Sequence, residues 1–303
     1  SSDVSDLYKV IILSRRPGKE PDGGHSILNE GSGASPDLQF SYWNPIQQEI
    51  DKSVIGKVDA IINLAGAGIA DKRWSGKRKK EIVGSRVLAA KLLVKALTEF
   101  PNHVASVLNI SAIGWYGPDS KRASEHEAFT ETDPPDSAFL GDACRQWEES
   151  IAPVHSLGKR LVILRTGIVL SNEGGAFVEF KKPLRFGIAA IMGRGMQIMS
   201  WIHLDDLCRL FIYSLGNKQV SGIYNATAPK PIDNASFTLA LARKLRQDHF
   251  IPVHIPSFIL KLVLGELSIE VMKSAKVSSE KIKTAGFQFV YPSVEAALED
   301  LCK

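Results

Sequence analysis

Short runs of unbroken apolar residues alternate along this chain with longer stretches whose apolar positions recur at helical spacing, and few folds accept that alternation. Lys9–Leu13 (KVIIL), Val58–Leu64 (VDAIINL), Val104–Ile110 (VASVLNI), Leu161–Leu164 (LVIL) and Gly222–Asn225 (GIYN) read as strands. Glu81–Phe100 carries apolar residues at 82, 83, 87, 88, 92, 93, 96 and 97, a helical period that Pro101 closes. Ala138–Ile151, Asn234–Arg246, Ser257–Val271 and Val294–Leu301 read as further helices, and Pro21–Pro36, rich in Gly, Ser and Pro, as a loop. Strands that are apolar on every residue are buried on both faces, which in a strand–helix–strand series means a parallel sheet between helix layers.

The expected fold class is therefore α/β, a Rossmann-like parallel sheet with a smaller C-terminal substrate-type domain. At 303 residues and 44% hydrophobic, the chain fits one large domain or two joined ones with a real core. Its net charge of +4 is scattered, and the one dense basic cluster, Lys72–Lys80, sits at a loop-to-helix junction. A basic stripe interleaved with aromatics is absent, so no nucleic-acid partner is expected. Three cysteines, Cys144, Cys208 and Cys302, lack paired spacing, which argues against a disulfide framework or zinc site and for a reducing, cytoplasmic setting. Phe250–Met272 is apolar but broken by Pro252 and Pro256 and carries His254, Lys261 and Glu266; it reads as buried helix, not as a membrane span. No signal-peptide pattern, internal repeat or long linker is visible. The chain opens at Ser1 without an initiator methionine, so the expectation is that something has been removed or left out.

In open parallel sheets ligands sit at the carboxyl ends of the strands, where the distinctive loops of this chain fall. Ser14-Arg15-Arg16 ends the first strand. An acidic residue there would accept from the 2′-OH of NAD, whereas an arginine pairs with the 2′-phosphate of NADP. The segment reads either as an NADP site or as a solvated strand end. Ala65-Gly66-Ala67-Gly68, after a buried strand, lets backbone approach a ligand closely or simply turns the chain.

The ordered set SRRP, NLAGAGI, RWSGKRKKEIVGSR, SAIGWYG, RTGIVLS, GGAF and SWIHLDDL resembles the extended short-chain dehydrogenase/reductases. More narrowly it is similar to their atypical epimerase family branch of unknown reaction, sometimes labelled as cell-division-inhibitor homologues. The closing AGFQFVYPSVEAALEDL is similar to the small domain of unknown function that ends this branch. The resemblance implies an NADP cofactor, with Ser14 and Arg15 on the 2′-phosphate and Leu64 and Ala65 offering backbone. It also implies Glu81 and Arg86 on the ribose and phosphate side, and Leu170 near the nicotinamide. It divides the chain into 1–170 plus 200–228, the nucleotide-binding part, and 171–199 plus 229–303, the substrate-type part. Within the latter, the Ser257–Val271 helix is expected to bury Phe258, Leu262 and Leu264 or Val263.

Two departures stand out. The family opens with a strand and a glycine-rich loop leading into a helix, where pyrophosphate meets backbone N–H groups. Here the first strand reads as the family's second, and Gly31-Ser32-Gly33 has neither the preceding strand nor the third glycine. Either a segment is omitted, leaving a slot between Lys9–Leu13 and Val58–Leu64, or those strands close up and pair; the first is the expectation, and Ser1–Leu7 filling the slot would refute both. The superfamily's Tyr-x-x-x-Lys pair is also missing. The residues four beyond the six tyrosines are Ile12, Ile46, Ser120, Asn217, Ala228 and Glu295.

Ser111 and Tyr116 are the remaining catalytic candidates: Ser111 to hydrogen-bond a substrate oxygen or to cap a turn, Tyr116 to shape the pocket or transfer a proton. Glu148 is a further candidate carboxylate. Cys144, one turn from it on the same helix, reads as a buried structural thiol. His203, Asp205 and Asp206 read as helix-capping residues, and no spacing suggests a metal. Two functions remain open: an NADP-dependent oxidoreductase or epimerase on an unknown small molecule, or a non-enzymatic cofactor-binding regulatory module. No membrane partner is expected, and a homodimer is one open assembly. A catalytically dead fragment is a third, weaker reading.

Overall fold

The computed structural model describes residues 8–16, 38–121 and 127–303. The expectations for Pro21–Pro36, Gly31-Ser32-Gly33 and Ser1–Leu7 fall outside those residues. Strand β1 (Val10–Ser14) runs parallel to β2 (Leu38–Asn44), from Val10 opposite Leu38 to Ser14 opposite Tyr42. β2 turns back onto β3 (Glu49–Ile50), and Asp51 then caps the short α1 (Lys52–Ile55). β4 (Ala60–Asn63) leads through a loop to α2 (Gly76–Glu99), whose N-cap is Ser75. Then come β5 (Ser106–Ala112), α3 (Phe139–Ile151), the short α4 (Pro153–Ser156) and β6 (Arg160–Thr166). After β7 (Ile168–Leu170) follow α5 (Ala176–Leu184), β8 (Ile188–Met192), β9 (Ile198–Met199), β10 (Trp201–His203), α6 (Leu204–Gly216) and β11 (Gly222–Ala226).

The sheet that positions the site is β11-β6-β5-β4, parallel throughout. Its strands are apolar on successive residues because helices cover both faces. Val107, Leu161 and Ile163 pack with Leu93 and Leu97 of α2 and Trp147 and Ile151 of α3. Their neighbours Leu108, Val162 and Leu164 point the other way, into Leu207, Leu210 and Phe211 of α6. The fold is thus the α/β, Rossmann-like arrangement expected from the alternation.

β1 pairs with β2 alone and β4 with β5 alone, so each keeps one edge without a strand partner among the described residues. The alternative in which β1 and β4 close up and pair is therefore not what the chain adopts. Leu64, just past β4, is 59% exposed, and Ile62 within β4 is exposed as well.

The C-terminal portion adds β12 (Ile232–Asp233), α7 (Asn234–Arg246), β13 (Ile251–Ile255), α8 (Ser257–Leu264), α9 (Leu267–Val271), α10 (Glu280–Thr284) and α11 (Val294–Leu301). β12 pairs with β9 and β13 with β8. A separate apolar cluster forms here around Phe177, Trp201, Phe237, Leu241, Ala297 and Leu298, drawn from α5, β10, α7 and α11.

Two expectations fail in this portion. Ser257–Val271 is not one helix: Gly265, at φ 63°, ends α8, and α9 starts afresh. That left-handed conformation is open to glycine at no steric cost. Nor does the helix bury the residues assigned to it. Phe258 is 70%, Leu262 72% and Val263 67% exposed, and only Leu260 of α8 is buried. A run of apolar residues on a short helix marks which of them share a face, not what covers them. The segment is still tied down, since Arg73 donates to the carbonyl of Leu262 at 3.2 Å and Lys79 pairs with Glu266. Phe250–Met272 as a whole is strand and broken helix with exposed apolar residues, not a buried helix. No helix among the described residues is long and apolar enough to cross a membrane.

Candidate functional site

The loops at the carboxyl ends of β4, β5 and β6 carry the polar groups of the sheet. Asn63, the last residue of β4, donates to Asn109 Oδ1 of β5 at 2.6 Å and accepts from the Ala65 N–H at 3.3 Å, starting the Ala65–Gly68 loop in a fixed direction. α2 then supports that loop from one side. Ser85 accepts from the Ala67 N–H at 2.9 Å, and Arg86 donates to the Ala67 carbonyl at 3.0 Å while lying over the Trp147 ring. Buried Arg78 binds the Gly68 carbonyl and pairs with Glu81 at 2.8 Å.

Leu64, Ala65, Arg86 and Glu81 therefore belong to one construction, with the first two open to solvent or ligand and the other two bracing the loop. Arg78, absent from the expectations, is the residue that links Glu81 to it. Ser14 accepts from the Arg16 N–H at 3.1 Å, which leaves its hydroxyl proton free to donate. Arg15 is exposed, and neither residue bonds to the β4 loop. Leu170 is buried in the β7–β10 pair, its side chain inside the C-terminal apolar cluster, so only its backbone is available to a ligand.

The second construction lies at the ends of β5 and β6. Ser111 donates to Glu148 Oε1 of α3 at 2.7 Å. Arg165 of β6 grips the same carboxylate with two bonds of 2.9 Å, its Nε on Oε1 and its Nη2 on Oε2. Arg165 also donates to the Tyr116 hydroxyl at 3.1 Å and to the Glu131 carbonyl at 3.2 Å, and its guanidinium stacks 3.6 Å from the Trp115 ring centre. Tyr116 in turn donates to Asn225 Oδ1 at 2.6 Å. Arg165 is only 1% exposed, and Ser111, Tyr116, Glu148 and Asn225 are buried with it.

A buried arginine persists when its charge is paired and its donors are used, and both conditions hold here. Burial pushes the Tyr116 phenol up to about 12, against the opposing pull of Arg165. At neutral pH it therefore donates and accepts as a neutral phenol. Sequence reading brought Ser111, Tyr116 and Glu148 forward separately and missed what joins them, Arg165 and Asn225. The available signal was an arginine ending the apolar run LVIL, a position that calls for a buried counter-charge.

Cys144 is buried, and burial pushes its thiol up to about 12, as suits a structural cysteine. Arg145 beside it is occupied by Asp142 and Glu149. His203 caps α6 by accepting from the Asp205 N–H at 3.1 Å, and buried Asp206 accepts from the N–H groups of Val290 and Tyr291. The fold also brings Asp300 to His203 Nε2 at 3.5 Å, a grouping with Asp205 that sequence spacing does not reveal. It is poorly set for a metal. Because Nδ1 accepts a backbone N–H, the neutral ring carries its proton on Nε2, where a metal would need a lone pair.

A parallel α/β sheet with small-residue loops at its carboxyl ends, a serine at the end of the second of its four strands, a tyrosine just beyond it, and a separate C-terminal cluster defines a protein of the extended short-chain dehydrogenase/reductase type. The chain belongs to the epimerase family, in its atypical branch. The profile of the NAD dependent epimerase/dehydratase family matches residues 5–140, and that of a domain of unknown function, DUF1731, matches residues 255–301. An epimerase family protein of Staphylococcus aureus (strain NCTC 8325 / PS 47) is 36% identical over 285 residues, covering 94% of this chain and 93% of that one. Among solved structures, human epimerase family protein SDR39U1 (isoform 2) with NADPH superposes with a TM-score of 0.80 at 28% identity, covering 97% of this chain and 90% of that one. UDP-glucuronic acid 4-epimerase from Bacillus cereus, with UDP-glucuronic acid and NAD, gives a TM-score of 0.73 at 17% identity over 98% of this chain and 90% of that one, a likeness of fold.

Proposed function

We infer that this chain binds NADP(H) and acts as an oxidoreductase or epimerase on a small molecule, without the tyrosine–lysine pair. The observation that carries the cofactor reading is Arg15, an exposed guanidinium at the carboxyl end of β1 with no acidic residue next to it in the sequence. The NADPH in the human structure supports it. The residues present fit the group: Ser14 keeps a hydroxyl proton to donate and Leu64 and Ala65 leave their loop open, while Arg86 and Arg78 hold the loop from beneath. NADP(H) would supply hydride transfer when bound. Ser111 is the hydroxyl we assign to the substrate, backed by Glu148. Tyr116 keeps its place in the same network as a neutral phenol. We assign 1–170 plus 200–228 to cofactor binding and 171–199 plus 229–303 to the substrate side, and we place the protein in the cytoplasm, where its three unpaired cysteines stay reduced.

A second reading, a cofactor-binding module without turnover, is favoured by one observation: every polar atom named around Glu148 and Tyr116 already has a partner within the protein. Incubating NADPH with the protein and a panel of carbonyl compounds separates the two, since oxidation of NADPH supports an enzyme. For the cofactor itself, titration by NADPH fluorescence should show tighter binding than NADH. Arg15→Ala should remove most of the difference, about 1–3 kcal/mol for a charge-assisted contact. Equal affinities before the substitution would defeat the NADP reading.

A further inference from the structure

An open cleft of about 640 Å³ lies in the C-terminal portion, between the loop after β8 and the start of α8. That volume falls in the range of roughly 300–1,000 Å³ that holds small ligands. The chain has four methionines, and three of them, Met192, Met196 and Met272, line this cleft. Met196 is 67% exposed there. Methionine is flexible and polarizable, and its clustering on an open concave surface marks a face that adapts to apolar ligands of varied shape.

The polar lining is just as selective. Gln197 donates its amide to the Met192 carbonyl at 3.1 Å. Ser274 donates to Asp119 Oδ2 at 2.6 Å and accepts from the Ile198 N–H at 2.9 Å. Both side chains are thus held by the protein. Among the described residues, no aspartate or glutamate lines the cleft, and Arg194, the single charged one there, is exposed and has no carboxylate partner. The floor connects to the site described above. Asp119, which holds Ser274, lies three residues beyond Tyr116, and Lys273, beside Met272, donates to the Tyr116 carbonyl at 3.2 Å.

We propose that this cleft binds an amphipathic small molecule with a flexible apolar body and one anionic head, of the medium-chain carboxylate class, its body on the three methionines and its head on Arg194. The cleft is a poor match for the UDP-sugars bound by structural neighbours. Among the described residues it offers no aromatic ring for a base to stack on, and one cation against a diphosphate. The proposal rests on the preceding reading only in calling this ligand the substrate; binding itself is read without cofactor, so its failure and that of the NADP assignment are separate results.

The test uses protein isotopically labelled at its methionine methyl groups and followed by NMR. Octanoate is titrated in the absence of NADP(H), with 1-octanol, inorganic phosphate and UDP-glucose as comparisons. Met199, buried in the C-terminal cluster, is the internal control. Octanoate should move the methyl signals of Met192, Met196 and Met272 along one saturable curve and move Met199 least. 1-Octanol should act more weakly, and phosphate and UDP-glucose should leave the three signals in place. Arg194→Gln should weaken octanoate about tenfold, as loss of one charge-assisted contact does, and leave 1-octanol unchanged. The proposal is overturned if millimolar octanoate leaves the three signals unmoved, if all four move together without saturation, if UDP-glucose moves them more strongly than octanoate, or if Arg194→Gln weakens octanoate and octanol equally.

Discussion

Replacing Arg165 by methionine would remove a side chain of similar length and apolar stem while deleting four hydrogen bonds, two to Glu148 and one each to Tyr116 and the Glu131 carbonyl. What matters most is what remains: the Glu148 carboxylate, buried, with Ser111 as its one named side-chain donor. Breaking a buried pair by removing one partner costs about 3–5 kcal/mol, because a charge is left in a medium that solvates it poorly. Against a total stability of about 5–15 kcal/mol that is a large share, and at roughly 2–4 °C per kcal/mol the midpoint of thermal unfolding should fall on the order of 10 °C. Thermal unfolding followed by circular dichroism measures the midpoint, and urea unfolding followed by tryptophan fluorescence measures the free-energy change. Glu148→Met alone should cost a similar amount, since it leaves the guanidinium buried instead. The double replacement should be more stable than either single one, as no buried charge then lacks its partner. If each single change cost less than about 1 kcal/mol, the value typical of a hydrated surface pair, or if the double cost the sum of the two, the account of this network as a dry, mutually dependent ion pair would be wrong.

Three further outcomes follow from the same geometry. The Tyr116 phenol, raised to about 12, binds its proton more tightly in the folded state than in the unfolded one, so its stabilising share is complete below pH 10 and declines as pH rises from about 10 to about 12; the alkaline absorbance titration of Tyr116→Phe should differ from the parent in that window, and a difference centred near pH 10 would contradict the burial argument. Cys144 should resist iodoacetamide in the folded protein while exposed Cys208 reacts, with Cys144 labelled only after denaturation; equal labelling would show that the α3 interface opens. Gly141→Ala places a Cβ 2.2 Å from the Asp136 carbonyl oxygen, an overlap with backbone that should cost about 1–3 kcal/mol in urea unfolding, and an unchanged midpoint would mean that the 130s loop yields freely.

The elements legible in the sequence were those whose apolar pattern reports their burial directly. α7 and α11 fall on the residues expected, and β5, β6 and β11 begin or end within two residues of expectation, because two-sided burial leaves a continuous apolar run. β2 was not legible: LQFSYWN mixes polar and aromatic residues, and only Ser41 within it is buried. α2 starts six residues before its apolar period does, since Ser75 and the basic residues of its first turns set the helix without contributing to the period. For the site, strand-end loops were visible as breaks in apolar runs. The bonds joining Ser111, Glu148, Arg165, Tyr116 and Asn225 span 114 residues from first to last, and pairings at that distance leave no local pattern.

Asp206 gives the order of assembly a direction. Its carboxylate sits fully buried near the start of α6, and the two N–H groups that satisfy it belong to Val290 and Tyr291, more than eighty residues later. A ribosome that has delivered α6 has therefore exposed a charge whose two backbone donors are still unsynthesised, with the half-exposed guanidinium of Arg209, 3.9 Å away on the same helix, as its one early partner. Until residues 290 and 291 emerge, the carboxylate must stay hydrated, and α6 cannot settle as deeply against the sheet as it does in the folded protein. Emergence of Val290 and Tyr291 is thus the event that lets the water leave, and only then does the sheet acquire its second helical layer in final form.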